Sequence, residues 1–386
     1  MKTVILRGPT LTQSGYGVHA RQVARWLLDK PGIDVKFHLL PWGDTPWLLD
    51  SNAHEGLVGE VMKRSVGPDA HSDVSFQLQL PNEWDPKVAA WNVGMTAGVE
   101  TDRCNPSWIE YCNRMSQIIV PSQHVLANLT STGKVSTPIA VVPESFVDSV
   151  LLDDDKLPKL PEFSTKFNFL VFGQLTGNNP FNDRKNTFFT LKWLCEAFKD
   201  DKDVGIVIKT NAGRNTKIDR NIIKNVLSGV LAEARKGPYP KVHLLHGDMD
   251  DLEVAALYRH PQIKGLVTLT RGEGYGLPIL EAAASGLPVI ATGWSGHLDF
   301  MKLGKYVSIY YQLGEVHPSR IDGQIFVKGS KWANPSEEDF KKRIVKFRNS
   351  HTIPKEWADE LATRLRGHFS FPEIAKQYDE LLKDVL

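Results

Sequence analysis

The sequence predicts an α/β protein of two Rossmann-like domains, each a doubly wound parallel sheet, the two facing one another across a cleft. Three observations carry that expectation. Apolar runs of strand length alternate with helix-length segments of 3.6-residue period through both halves. The 386 residues suffice for two cores of ordinary size. A polar stretch with two prolines, LLDDDKLPKLPEFST at 151–165, separates the two series. Domains are expected over 1–152 and 166–370, with 153–165 as linker and a helix over 371–386.

In the first half TVILRG (3–8) is a short apolar strand, followed by the glycine-bearing loop TLTQSGYG. The segment 18–30 then carries Val18, Val23, Trp26 and Leu27 at roughly the helical period. VKFHLLP, DVSFQLQL, KVAAWNVG and SQIIVPS follow as further strands. QHVLANLTSTG reads as a helix stopped by Gly133, and IAVVPES as the last strand of this half. The region 41–72 is rich in Trp, Gly, Asp and His, has weak periodicity, and is read as a mobile or an acceptor-facing loop, with acceptor binding left open.

The second half opens with the strand KFNFLVFGQL. A long loop leads to NTFFTLKWLCEAFKD, whose Phe188, Leu191, Leu194, Cys195 and Phe198 recur as one face of a helix. VGIVIKT and KVHLLHG are strands, DLEVAALYRHP a helix, and LVTLT (266–270) the strand that precedes RGEGYG. Pro278 then opens a helix, where its missing N–H costs nothing, and GLPVIA starts the next strand. FSFPEIAKQYDELLKDVL closes the chain with Ile374, Ala375, Tyr378, Leu381, Leu382 and Val385 on one helical face.

Composition narrows the function classes. A net charge of +1 offers no basic field for nucleic acid or membrane. No run reaches the 18 or more apolar residues of a membrane span, and the N-terminus enters a strand with no signal peptide, so the cytoplasm is the expected location. Three scattered cysteines, Cys104, Cys112 and Cys195, do not make a disulfide framework or a metal cluster. Asp248-Met249-Asp250 has D-x-D spacing but precedes a helix and reads as its cap, so no metal site is expected.

The chemistry concentrates in RGEGYGLPILEAAASGLPVIA (271–291). Two carboxylates, Glu273 and Glu281, stand eight residues apart around a glycine-rich turn and a helix start. A helix N-terminus suits an anion, and carboxylates accept hydrogen bonds from hydroxyls, so the pattern fits a sugar nucleotide. Solvent-facing glutamates on an ordinary βα turn are the plainer alternative. Arg184 and Lys185, before the helix that follows Gly173, and Lys209 at the neighbouring strand tip could converge on a diphosphate, where fixed cations stabilise growing charge. A solvated charged loop is the rival there.

These residues resemble the retaining GT-B glycosyltransferases of family 4, whose loop reads approximately G-E-G-F/Y-G-L-P-x-x-E-A. Gly272, Glu273, Gly274, Tyr275, Gly276, Leu277, Pro278, Glu281 and Ala282 match it. The resemblance implies that Glu273 lies beside the donor hexose and that Glu281 binds the ribose hydroxyls. It also implies a cation loop ending in R-K-G or R-K-N, here Arg184-Lys185-Asn186, with Gln174 in place of a frequent arginine. Ser14-Gly15-Tyr16-Gly17 resembles the family's first glycine loop, with Gly15 and Gly17 near the pyrophosphate; a plain tight turn is the alternative. MTAGVETDRCNPSWIEYCNRMSQIIVPS and WSGHLDF resemble a bacterial and phage-like subgroup. They put Glu100 and Asp102 on the acceptor side, with a capping role open for Asp102, and His297 at the edge of the donor pocket or in a structural loop. In the family the C-terminal helix packs back on the first domain.

The resemblance implies a nucleotide-sugar-dependent transferase acting with retention. A front-face route fits because no buried nucleophile emerges on the acceptor side, and a divalent ion is dispensable because no D-x-D motif stands in a suitable strand–loop context. The donor would be a UDP-, GDP- or ADP-sugar, with no pyridoxal phosphate, since nothing marks a lysine for it. The acceptor would be a glycan, a lipid-linked glycan or a small molecule. Modified phage DNA, in an infected host cell, is a remoter option, and a non-catalytic sugar-nucleotide binder is the main alternative. Base, sugar, linkage and oligomeric state are left open.

Overall fold

The computed structural model describes residues 1–175, 179–211 and 216–386. It divides into two compact units, one of Met1–Ser145 with Gly323–Val327 and Phe371–Leu386, the other of Phe146–Asp322 with Lys328–Ser370.

The first unit runs β1 (Lys2–Gly8), α1 (Gly15–Leu28), β2 (Ile33–Leu39), α2 (Leu57–Lys63), β3 (Ser72–Leu78), β4 (Ala89–Met95), α3 (Trp108–Cys112), β5 (Gln117–Val120), α4 (Gln123–Thr132) and β6 (Ile139–Val141). Among the described residues the strands form a six-stranded sheet in the order β2-β1-β3-β4-β5-β6, parallel throughout. Val4, Leu6, Phe37, Phe76 and Val93 are fully buried, which explains why the strands read as continuous apolar runs. Helix α1 begins three residues before the predicted Val18. Ser14 Oγ accepts the Gly17 N–H at 3.0 Å and caps the helix, so Gly15 and Gly17 belong to its first turn. A Cβ on Gly17 would stand 2.1 Å from the Thr12 carbonyl oxygen, so packing alone demands glycine there.

The second unit runs β7 (Phe167–Phe172), α5 (Thr187–Ala197), β8 (Val204–Thr210), α6 (Lys217–Ala234), β9 (Lys241–His246), α7 (Asp251–Tyr258), β10 (Ile263–Thr268), α8 (Leu277–Ala284), β11 (Val289–Thr292), α9 (Leu298–Met301), β12 (Val307–Ile309), β13 (Tyr311–Glu315), β14 (Lys331–Pro335), α10 (Glu337–Asn349) and α11 (Thr352–His368). Its described strands make a parallel sheet ordered β12-β11-β10-β7-β8-β9, with β13 and β14 as a separate antiparallel hairpin. Phe169, Leu194, Ile206, Val267, Phe340 and Ile344 share one core. Asp250 caps α7 by accepting the Glu253 N–H, as the D-x-D reading anticipated. The stretch read as a linker is fastened to α7 and its exit. The Arg259 guanidinium binds the carbonyls of Val150 and Leu152, and Gln262 pairs with the backbone of Phe163 at 2.8 and 2.9 Å.

Helix α12 (Phe371–Leu382) belongs to the first unit, burying Ile374, Tyr378 and Leu382. Trp26 Nε1 donates to Asp379 at 2.7 Å, the Tyr378 hydroxyl meets His19 Nε2 at 3.1 Å, and Arg25 lies over the Phe371 ring at 4.1 Å. Among the described residues no helix is long and apolar enough to cross a membrane.

Candidate functional site

In the second sheet β7 lies between β10 and β8, so the strand order reverses at the β7–β10 junction. Open parallel sheets bind ligands at such a switch point, outside the carboxyl ends of the strands. The loop after β7 carries Arg184 and Lys185, and the loop after β10 carries Glu273. Glu273 is 7% exposed; one carboxylate oxygen accepts from Lys185 Nζ at 2.7 Å and the other from Arg184 Nη1 at 3.1 Å. Burial would push this carboxyl up, but Lys185 and Arg184 outweigh it and hold the group at about 2. The cluster therefore has two cations and one anion, with a net positive charge at the switch point.

The backbone of this loop is locked on both sides. The Glu273 N–H donates to Ser295 Oγ at 2.8 Å, and its carbonyl accepts the Gly296 N–H at 2.9 Å. Arg184 Nη1 also reaches the Gly272 carbonyl at 2.8 Å. Gly276, left-handed at φ 106°, turns the chain into α8, whose first turn contains Pro278. Gly272, Gly274, Tyr275 and Leu277 are buried along this turn, with Tyr275 edge-on to Phe300. A Cβ on Gly296 would fall 2.0 Å from the Gly274 carbonyl oxygen, so two loops distant in sequence meet backbone to backbone.

Glu281 lies on α8 and is 9% exposed, with the Tyr258 hydroxyl donating to Oε2 at 3.3 Å. Burial, and then Asp251, lift its carboxyl to about 8, slightly offset by the Tyr258 bond. The surroundings thus push the two glutamates in opposite directions, Glu273 toward the anion and Glu281 toward the neutral acid. Lys209 stands near the end of β8, beside β7, and is buried; Nζ donates to the Gly247 carbonyl at 2.6 Å and to Asn211 at 2.5 Å. Burial lowers its ammonium pKa against the pull of Asp248 and Glu253. Gly173 directly follows β7, and its N–H donates to the Lys209 carbonyl at 3.1 Å. His297 is fully buried, its imidazole pKa is lowered by burial, and Nε2 donates to the Thr292 carbonyl at 2.8 Å.

The remaining expected residues lie in the first unit. Gly15 and Gly17 form the start of α1, and the Tyr16 hydroxyl between them accepts the Ala97 N–H at 2.9 Å and meets Thr96 Oγ1 at 3.0 Å. The Tyr16 ring stacks on Trp42 at 3.9 Å. Glu100 and Asp102 are half-buried in the loop after β4, where the Asp102 carbonyl accepts from Ser131 Oγ at 3.4 Å.

Sequence reasoning missed several residues that build the site. Asp183 takes the Lys185 N–H at 2.9 Å and the Thr187 N–H at 2.6 Å, which seats both the cation loop and the start of α5. It stands four residues before α5 and accepts the first N–H of that helix, the kind of aspartate–helix-start pairing that marks an N-terminus in sequence. Ser295, at φ 91°, and Gly296 lie in the WSGHLDF run already noted, but nothing local in that run signals that they lock onto the Glu273 loop.

No model of a known protein family matches the chain. One curated relative, a probable sucrose-phosphate synthase of Thermosipho melanesiensis, is 25% identical over 220 residues, which is 55% of this chain. The chain spans 45% of that relative's length. Among solved structures, a glycosyltransferase of Rickettsia africae aligns over 99% of this chain and 98% of its own with TM-score 0.63 at 14% identity. Sucrose-phosphate synthase of Thermosynechococcus elongatus aligns over 100% of this chain and 99% of its own with TM-score 0.62 at 13% identity. HepE of Anabaena, in complex with UDP and glucose, aligns over the full length of both chains with TM-score 0.61 at 13% identity. The fold is GT-B. At these identities the likeness speaks for architecture, and activity has to be argued from the residues.

Proposed function

We propose that this protein is a retaining glycosyltransferase that moves a sugar from a nucleoside diphosphate onto an acceptor hydroxyl. The observation that carries the reading is the buried Glu273 carboxylate bound by both Arg184 and Lys185 at the switch point of the second sheet. An anion-binding site with a fixed carboxylate suits a ligand that is both diphosphate and polyol. The UDP held by the Anabaena structure makes uracil the first base to test, and the sucrose-phosphate synthases favour a small sugar or sugar phosphate as acceptor.

In this reading the bond from the anomeric carbon to the diphosphate oxygen breaks as the bond to the acceptor oxygen forms on the same face. The acceptor proton passes to the departing diphosphate oxygen. Arg184 and Lys185 stabilise the charge that grows there, with the start of α8 adding its oriented N–H groups. Glu273 holds the cations in place and offers its carboxylate to sugar hydroxyls once the diphosphate draws the cations to itself. Glu281 receives the ribose hydroxyls. Glu100 and Asp102 serve the acceptor, and no metal ion is required.

The test is calorimetry with UDP, GDP and ADP, followed by sugar transfer from the matching donor to glucose, fructose and their phosphates, with and without EDTA. Nucleotide binding, EDTA-insensitive product and an axial-to-axial anomeric outcome by NMR are expected. Binding without donor cleavage would favour a non-catalytic sensor, and failure to bind any nucleotide diphosphate would sink the reading.

A further inference from the structure

Arg184 and Lys185 stand on a loop, so their placement depends on what holds that loop. Besides Asp183 within the loop, Thr270 and Arg271 grip it from outside, and Arg271 makes the more extensive hold. Its side chain is almost fully buried, with Nε donating to the Asp183 carbonyl at 3.1 Å and Nη1 donating to Asn334 Oδ1. Its own N–H donates to the Arg184 carbonyl at 2.8 Å, and its carbonyl accepts the Ala333 N–H at 2.9 Å. The Trp332 ring lies 5.4 Å from the guanidinium carbon. Two consecutive carbonyls of the cation loop are therefore tied to one residue, which three consecutive residues of β14 hold in turn. The hairpin is shaped for this, because a Cβ on Gly314 of β13 would stand 2.3 Å from Asn334 Nδ2.

Burying a guanidinium is costly unless it is paired and hydrogen-bonded, so a buried one that is kept points to a role a neutral side chain would not fill. Both side-chain hydrogen bonds of Arg271 go to neutral oxygens, and the nearby Asp183 carboxylate is already occupied by the N–H groups of Lys185 and Thr187. A flat fork with several donors can bridge two acceptors 151 residues apart in sequence, where an ammonium offers only a compact point charge.

We propose that Arg271, set by Asn334 of the β13–β14 hairpin, is a positioning residue for the diphosphate cations. It fixes the carbonyls of Asp183 and Arg184, so the Arg184 guanidinium and the Lys185 ammonium meet a donor diphosphate without a reordering of the loop. This rests on the donor reading given above. Pre-organised cations lower the cost of binding, so the hairpin tunes nucleotide affinity without touching the nucleotide.

The experiment compares Asn334→Leu, Asn334→Asp and Arg271→Lys with the wild type. UDP, GDP, ADP and inorganic pyrophosphate are titrated by calorimetry, and donor and acceptor KM are measured where transfer occurs. Asn334→Leu removes the acceptor at similar size, and Arg271→Lys removes the fork. Both are expected to weaken diphosphate binding about tenfold or more and to raise donor KM, with acceptor KM unchanged. Asn334→Asp keeps an oxygen for the guanidinium and is expected to stay within about threefold of wild type, a tenfold change being about 1.4 kcal/mol. Should Asn334→Leu fail to fold, Gly314→Ala displaces the same amide by contact alone and carries the same expectation. Folded variants with wild-type affinity overturn the proposal, as does an Asn334→Asp protein as weak as Asn334→Leu. A wild type that binds none of the four probes overturns the donor reading itself, and this proposal with it.

Discussion

Raising the pH from 6 to 8 should destabilise the protein through Glu281. Its carboxyl is buried beside Asp251 and the Tyr258 hydroxyl and is lifted from 4.5 to about 8, so the fold prefers the neutral acid. Below about pH 4.5 both folded and unfolded chains carry the proton, and the contribution is complete. Between 4.5 and 8 only the unfolded chain ionises, and stability falls by about 1.4 kcal/mol per pH unit. Above 8 both states are ionised and the loss is complete. Two pH units inside that window are worth about 3 kcal/mol, or roughly 5–10 °C in Tm for a unit of this size. Glu281→Gln keeps the shape and an oxygen for Tyr258 but cannot titrate. The assay is thermal melting at pH 6, 7, 8 and 9 for both proteins, taking the difference so that every other titrating group cancels. The wild type should lose ground on the variant steadily up to pH 8. Parallel curves would refute the reasoning and return Glu281 to an ordinary carboxylate.

Four further outcomes follow from the same geometry. Glu273→Gln should slow single-turnover transfer about a hundredfold while calorimetric affinity for the nucleotide diphosphate is kept or increased, because the cluster gains one net positive charge; a matching loss of affinity would contradict that division. In the wild type the Glu273 contribution to stability is present above about pH 4.5 and lost as the pH falls toward 2, so the variant should show a shallower acid melting profile. Gly296→Ala places a methyl against the Gly274 carbonyl, and a tenfold or greater loss of nucleotide affinity in a folded protein is expected by titration. Truncation before Phe371 removes three buried side chains worth roughly 1.5–3 kcal/mol each, and an unchanged melting curve would show that α12 is dispensable.

What the sequence discloses follows the range of the forces involved. Parallel strands buried on both faces must be apolar along their length, so β1, β7, β8 and β10 stand out as runs. Glycines around Glu273 and Pro278 mark a strand–turn–helix because only local backbone sterics are involved. Helix α6 escapes the pattern because Ile218, Ile222 and Val226 face solvent and blur its buried stripe of Ile223, Leu227 and Leu231. The hairpin escapes for another reason. KWANP and YQLGE have no regular alternation, and Asn334 matters only through a partner 63 residues away. Lys209 is legible as a strand-tip cation, but its hold on the Gly247 carbonyl depends on where β8 and β9 pair.

The two glutamates show why spacing locates a site without assigning roles within it. Glu273 and Glu281 are chemically identical and equally buried, yet one sits at about 2 and the other at about 8. The difference comes from partners supplied by other elements of the fold. Lys185 and Arg184 arrive from the loop after β7, whereas Tyr258 and Asp251 arrive from α7, which contributes no cation to offset burial. A permanently ionised carboxylate among cations suits a part of the ligand where charge shifts during reaction. A neutral carboxyl both donates and accepts, which suits a vicinal diol whose charge never changes. If ribose hydroxyls bind Glu281 as donors, its anion is favoured and nucleotide binding must release a proton near pH 7. Calorimetry in buffers of different ionisation enthalpy reads that proton directly, and its absence would mean that the diol accepts from a Glu281 that stays protonated.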